Sequence, residues 1–403
     1  MDVFIARQPI FDTKQGIYGY ELLYRSGMEN VYSAADGDKA SLSVIGNTVL
    51  VIGSQQISEG RRVFVNFTRK LLLEGAAAYL PKKIGVVEIL ENVEPDDELI
   101  KAITMIRSQG YTLALDDFVL RGNEYNPFLK LVDIIKVDLR QTDEKERKAI
   151  ARRFPSSGRV KLLAEKTETR EEFTNALKMG YSYFQGYFFC KPVILTRRNI
   201  SGHKMHYLQI LKELGADNPS FEAINKVIEH NPSFAYKLLN YANSAFFGLH
   251  RQVSSIMHAL QLLGEEEIRK WVSLAVLIEL GNDQPQELLR LCLLRARFSE
   301  NLASKVGYKQ QKSEFFFTGL FSCMDVLLGR PMEEVVEDLP IQTSIKEALL
   351  GKSNLFKTVL DLSISYEKAN WMDFPSLASR LGIEESEVPE VYSNSIEWVD
   401  RIF

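Results

Sequence analysis

The chain has 403 residues, of which 45% are hydrophobic and 25% charged, with a formal net charge of -4. Its length predicts two domains of about 200 residues each, and its charge balance gives no electrostatic case for tight nucleic-acid binding, which requires a basic surface, leaving room only for a local basic patch. No run approaches the roughly 20 uninterrupted apolar residues of a membrane span, and the opening MDVFIARQPIFD lacks the basic and apolar regions of a signal peptide, so a cytoplasmic protein without membrane contact is expected.

From residue 3 to 191, short β-rich runs alternate with segments of helical period. Strands are predicted at 17–24, 62–68, 85–90, 112–118, 133–139, 160–166 and 181–189. Helical patterns fall between them at 38–56, 69–80, 95–109, 143–153 and 170–179, with a shorter one at 124–131. Asp96 and Asp97 behind Pro95 mark a helix start, and Gly110 and Gly180 stand where helices should stop. Such a strand-helix alternation implies a parallel sheet, and its seven or eight repeats favour closure into a TIM-type barrel. After Pro192 the strands give way to helical patterns at 204–214, 220–229, 232–243, 255–263, 265–280, 286–305 and 313–328, then shorter pieces. The expected division is an α/β barrel over 1–198 and an all-α helical bundle over 199–403, with its core at about 201–388.

Each predicted strand is interrupted by a polar residue near its C-terminal half: Glu21, Asn66, Glu88, Asp116 with Asp117, Lys136 with Asp138, Glu165, and Gln185. An unpaired buried charge costs several kcal/mol, and the C-terminal ends of barrel strands converge on one mouth. So many carboxylates cannot stay ionised together in a dry pocket without counter-charge. The residues before 200 include no histidine, because His203, His206, His230, His250 and His258 all come later. Cys190, Cys292 and Cys323 are odd in number and too scattered for a disulfide framework or a zinc site. Oxygen-only ligation suits Mg2+, Mn2+ or Ca2+. Asp116 and Asp117 can both face the site only if their strand ends or bulges there. One of them can then bridge two metals about 3.5–4 Å apart, the spacing used for phosphodiester hydrolysis.

The strings ARQPIFD, ELLYR, VNFT, EILE, ALDDF, IKVD, AEKTET and FQGYFFCKP, in this order, resemble the successive motifs of EAL-domain cyclic di-GMP phosphodiesterases over residues 1–198. The resemblance implies cyclic di-GMP as ligand and two Mg2+ or Mn2+ ions held by Glu21, Asn66, Glu88, Asp116 and Asp117. It further implies Lys136 beside the attacking water and Glu165 as the late glutamate. Gln8, Arg25 and Gln185 become ligand contacts, and Glu91 steadies the loop after the aspartates. EAL domains commonly pair through the barrel, so a homodimer is possible. Two departures stand out: ELL replaces EAL, and where the family has DFG followed by a small residue and glycine, the chain reads DDFVLRGNEYNP, with Val119 and Leu120 directly after Phe118. The second leaves two expectations open, a phosphodiesterase and a non-catalytic cyclic di-GMP receptor.

In the second half, NPSFAYKLLNYANSAFFG and SIMHALQLLG resemble the HDOD domain, a relative of metal-dependent HD phosphohydrolases. Where the His-Asp pair of those enzymes would fall, the chain reads TGLFSCMDVLLG. The resemblance therefore implies a non-catalytic domain that contacts an unknown signalling protein. Trp271, Leu274, Ala275 and Ile278 recur on one helix face, and Phe315, Phe316 and Phe317 are expected in the core.

Overall fold

A computed structural model of the chain describes residues 3–26, 61–120, 126–188 and, apart from a few positions, 255–402, with isolated residues between 222 and 253. The helices expected at 38–56 and 204–214 lie outside the described residues, as do most of 220–229 and 232–243. The chain divides into two compact units: Met1–Lys191 with Leu362–Phe403, and Pro192–Asp361. Residues 362–403, assigned from sequence to the helical domain, therefore pack with the barrel.

In the first unit eight strands close a barrel in sequential order. They are β1 (Val3–Asp12), β2 (Ile17–Ser26), β3 (Arg62–Phe67), β4 (Gly85–Ile89), β5 (Thr112–Leu115), β6 (Ile134–Asp138), β7 (Lys161–Glu165) and β8 (Tyr183–Gln185). The strand β1 is absent from the sequence-based set, and it breaks the parallel rule by running antiparallel to both β2 and β8. Its pairing with β8 covers only Ile10–Asp12. Residues 3–9 thus keep one edge free of β8, where Pro9, which has no N–H to give a ladder, is tolerated. The remaining neighbours pair in parallel.

Around the barrel lie α1 (Arg69–Leu73), α2 (Asp97–Ser108), α3 (Glu144–Arg153) and α4 (Arg170–Met179). Their boundaries follow local chemistry. Asp96 caps α2 by accepting from the Leu99 amide at 2.8 Å, and Thr169 with Glu172 forms a capping box on α4. Gly180, at φ 100°, ends that helix. The helix expected over 69–80 is α1 followed by a 3-10 turn, Ala76–Tyr79, because Gly75 takes a left-handed conformation between them; the pattern at 124–131 is a 3-10 turn, Pro127–Lys130.

The barrel floor explains where the polar residues go. Ile10, Phe64, Val86, Ala114, Ile134 and Leu163 form one buried layer, with Tyr18 and Tyr183 packed against it, so each strand contributes one side chain. Burying each of the larger ones contributes about 1.5–3 kcal/mol. Strand side chains alternate, so the next inward position lies two residues on. From that floor the step leads to Gln8, Asn66, Glu88, Asp116, Lys136, Glu165 and Gln185. On β2 the register slips: Ile10 faces Gly19 while Phe11 faces Ile17. This bulge at Tyr18 brings Tyr18 and Glu21, three residues apart, onto the same inward side.

The barrel's outer layer includes the end of the chain. The helices α5 to α13 are Ile256–Leu280, Gln286–Lys305, Lys312–Leu320, Met324–Leu328, Met332–Asp338, Thr343–Leu349, Leu355–Glu367, Phe374–Leu381 and Val388–Asp400. A hairpin turn joins β1 to β2 where a barrel repeat would have a helix, and α13 packs along β1 instead. Arg7 of β1, 9% exposed, lies 3.6 Å from Asp400 and over the ring of Tyr20. Tyr366, Trp371, Phe374 and Tyr392 form an aromatic cluster in this layer.

In the second unit α5 breaks at Gly264, which has φ 76° and ψ 167°, matching the two helices expected at 255–263 and 265–280. The helix expected over 313–328 is divided into α7 and α8. Phe315, Phe316 and Phe317 are buried, as expected. Gly319 lets α7 approach α6 closely, since a Cβ there would meet the Arg295 backbone at 2.3 Å.

Candidate active site at the barrel mouth

The carboxylate layer gathers around one ammonium. Lys136, 1% exposed, places Nζ 2.9 Å from Glu165 Oε1, 3.0 Å from Asp116 Oδ1 and 3.4 Å from Glu21 Oε2, and in contact with Glu88 Oε1. Burial works against the lysine's charge, but Glu165, Glu21, Glu88 and Asp116 together outweigh it and hold Lys136 well above its ordinary value. It stays an ammonium and acts as a donor. Burial pushes the Glu88 and Glu165 carboxyls up despite the lysine. Burial also raises Asp116, yet the charge and hydrogen bond of Lys136 carry it below the usual range.

Amides tie the layer together on the β1 and β3 sides. Gln185 Nε2 donates to Glu21 Oε2 at 2.6 Å and to Gln8 Oε1 at 2.9 Å, and Asn66 Nδ2 donates to Glu21 Oε1 at 3.3 Å. Gly186 follows with φ 142°, and its missing side chain matters because a Cβ would sit 2.1 Å from the Thr167 carbonyl oxygen. Only glycine lets β8 approach the end of β7 this closely.

Adjacent aspartates can both serve because β5 ends at Leu115 and Asp117 turns to φ 42°. Asp116, Asp117 and Glu165 each bring one carboxylate oxygen to within 4.8 Å of the others. Burial raises Asp117, with Asp116 adding to the effect. Gln141 Nε2 donates to Asp117 Oδ2 at 3.0 Å. The following loop is described only through Leu120, whose amide donates to Glu146 Oε1 of α3 at 2.7 Å. Glu91 is exposed after β4. Arg25 lies on β2, and its side chain is outside the described residues. Gln141 and Glu146 were not singled out from sequence: one sits in a turn, and the other looks like an ordinary acidic residue in the first turn of a helix.

The donor set fits hard divalent cations. Every candidate ligand is an oxygen. The buried Asn66 Oδ1 has no hydrogen-bond partner, as expected of an atom whose partner is an ion. Four carboxyl groups face one ammonium, and one or two cations would offset the negative charge the layer gains when Glu88 and Glu165 ionise. Among the described residues of the second unit the corresponding place is different. Arg295, 5% exposed, puts its guanidinium 3.2 Å from both Ser322 Oγ and Cys323 Sγ, a cation already in position.

The sequence matches the EAL domain over residues 49–192 and the HDOD domain over 204–342. An uncharacterized protein of Bacillus subtilis, YuxH, is 37% identical over 409 residues, covering 100% of this chain and 99% of its own length. The cyclic di-GMP phosphodiesterase CdgJ of Vibrio cholerae is 33% identical over 401 residues, 99% of this chain and 93% of its own. Among solved structures, the Bacillus subtilis YkuI protein, with an EAL domain and in complex with cyclic di-GMP and calcium, matches at a TM-score of 0.37 and 21% identity, over 67% of this chain and 72% of that one. No described helix is long and apolar enough to cross a membrane.

Proposed function

The chain belongs to the family that joins an EAL domain to an HDOD domain, and we propose that its barrel binds cyclic di-GMP and hydrolyses it to pGpG. The observation that carries this reading is the layer of four carboxylates around Lys136, with buried ligand-type oxygens left unpaired. Its whole-length similarity to a protein named for that activity supports the choice of substrate.

Glu21, Asn66, Glu88, Asp116 and Asp117 would hold two Mg2+ or Mn2+ ions. Bound there, the ions supply positive charge to the phosphate and acidify water. Lys136 orients the attacking water and steadies charge on phosphate, and it does so by donating hydrogen bonds. In this reading Glu165, with Oε2 unpartnered, receives the proton that water gives up. Water oxygen joins phosphorus, the bond to one ribose oxygen breaks, and that oxygen takes a proton. Gln8, Arg25 and Gln185 hold the dinucleotide in this reading, while Glu91 steadies the loop after Asp117. The HDOD region is non-catalytic in this reading, because Ser322 and Cys323 stand where the His-Asp pair of HD enzymes would fall, with the Arg295 guanidinium against them, and it recruits a signalling protein. In this reading a second copy of the chain pairs through the barrel.

A second reading, a cyclic di-GMP receptor that signals without cleavage, is favoured by Val119 and Leu120 in the loop next to the aspartates. Incubating the full chain with cyclic di-GMP and Mn2+, Mg2+ or Ca2+ and separating pGpG by chromatography tests the first reading. Cleavage with Mn2+ or Mg2+ but not Ca2+ is expected. Binding by calorimetry with no cleavage in any of the three ions leaves the receptor.

A further inference from the structure

The helix α11 ends at Glu367 in a left-handed cap. The Ala369 amide donates to the Tyr366 carbonyl at 3.0 Å and the Asn370 amide to the Ser365 carbonyl at 2.8 Å, and Ala369 has φ 52°. This pair of bonds satisfies two of the carbonyls at the helix end and leaves those of Glu367 and Lys368 without a donor from the helix. The barrel mouth provides both donors. The Tyr187 hydroxyl donates to the Glu367 carbonyl at 3.0 Å, and Gln8 Nε2 reaches the Lys368 carbonyl at 3.5 Å. The same Gln8 accepts from Gln185, which donates to Glu21. A short hydrogen-bonded chain therefore joins the α11–α12 turn to the carboxylate layer.

The turn also brings a charge. Lys368 is exposed, its Nζ lies 4.9 Å from the centre of the Tyr187 ring, and among the described residues it pairs with no carboxylate. An anionic dinucleotide approaching a mouth lined by Glu21, Glu88, Asp116 and Glu165 needs positive charge at the rim.

We propose that Lys368 is a substrate-binding residue, its ammonium taking a phosphate oxygen of the cyclic dinucleotide beside Gln8. The inference rests on the reading of the barrel as a cyclic di-GMP site. It adds to that site a residue from beyond the HDOD-matched segment, delivered by the backbone contacts of Gln8 and Tyr187. A charge-assisted hydrogen bond to phosphate is about twice as strong as a neutral one, so its loss should weaken binding by roughly tenfold.

The test uses the full chain and its Lys368→Ala, Lys368→Arg and Lys101→Ala variants, the last an exposed lysine on α2. Cyclic di-GMP affinity is measured by calorimetry in Ca2+, and KM and kcat in Mn2+. Lys368→Ala should raise Kd and KM by about tenfold with kcat within threefold, Lys368→Arg should recover most of the loss, and Lys101→Ala should match wild type. Wild-type Kd and KM in Lys368→Ala overturn the proposal, as does a fall confined to kcat or an arginine variant as weak as alanine. If wild type binds without cleaving, the phosphodiesterase reading fails while Kd still decides the role of Lys368. If wild type neither binds nor cleaves, both fall.

Discussion

Replacing Lys136 with Met keeps a stem of similar length and removes the one ammonium among four buried carboxylates. Removing one partner of a buried ion pair costs about 3–5 kcal/mol, and here Nζ serves Glu165, Asp116, Glu21 and Glu88 together, which places the loss at the upper end. Against a total stability of about 5–15 kcal/mol, and with each kcal/mol worth about 2–4 °C in a domain of this size, the barrel of the metal-free variant should melt about 10–20 °C below wild type. Saturating Mn2+ supplies the missing positive charge and should close more than half of that gap. Scanning calorimetry of both proteins, each in EDTA and in Mn2+, gives the four melting temperatures. Equal melting in EDTA, or a gap that Mn2+ leaves untouched, would refute the argument that this lysine and the metals neutralise the same carboxylates.

Gly186→Ala forces a Cβ against the Thr167 backbone, so β8 must shift and carry Gln185 with it; pGpG formation should fall at least about tenfold alongside a lower melting temperature, and normal turnover would show the strand can adapt. Ala369→Gly removes the strain of an L-residue at φ 52° and should stabilise the protein by about 0.5–1 kcal/mol, seen as a higher urea midpoint. Burial and Cys323 raise Asp325 from 3.8 to about 6. A carboxyl raised on folding is least unfavourable below its unfolded value and penalises folding as pH rises through about 6. Asp325→Asn should therefore raise the melting temperature at pH 8, by up to about 3 kcal/mol in stability, and change little at pH 4; a uniform effect at both would contradict the assignment.

Much of the site was legible because the code that writes it is local. A polar residue two places beyond an apolar one, repeated strand after strand, is visible without coordinates, and the barrel places those residues on the layer above its floor. The strand β1 was not legible, since its run of Arg7, Gln8 and Pro9 has no alternating apolar pattern and depends on an edge that β8 leaves open. The bulge at Tyr18 was hidden for a related reason: it shows only as a register slip between two strands. Gln141 and Glu146 meet Asp117 and Leu120 by folding, with no spacing to announce them. The end of the chain was the largest misplacement. Its helical period is indistinguishable from that of the preceding domain, and only contacts such as Arg7 with Asp400 and Tyr187 with Glu367 reveal that residues 362–403 belong to the barrel.

The placement of α13 against β1 bears on how the protein is made. A ribosome that has finished Lys191 has delivered all eight strands but not the helix that covers the first of them. At about 5–20 residues per second, the remaining 212 residues, 192–403, take about 10–40 seconds. Throughout that interval the outer side of β1 waits uncovered, and the entire helical unit can form first. Nascent chains should then resist protease in the second unit before the first, the reverse of the order in which the two units begin in the chain.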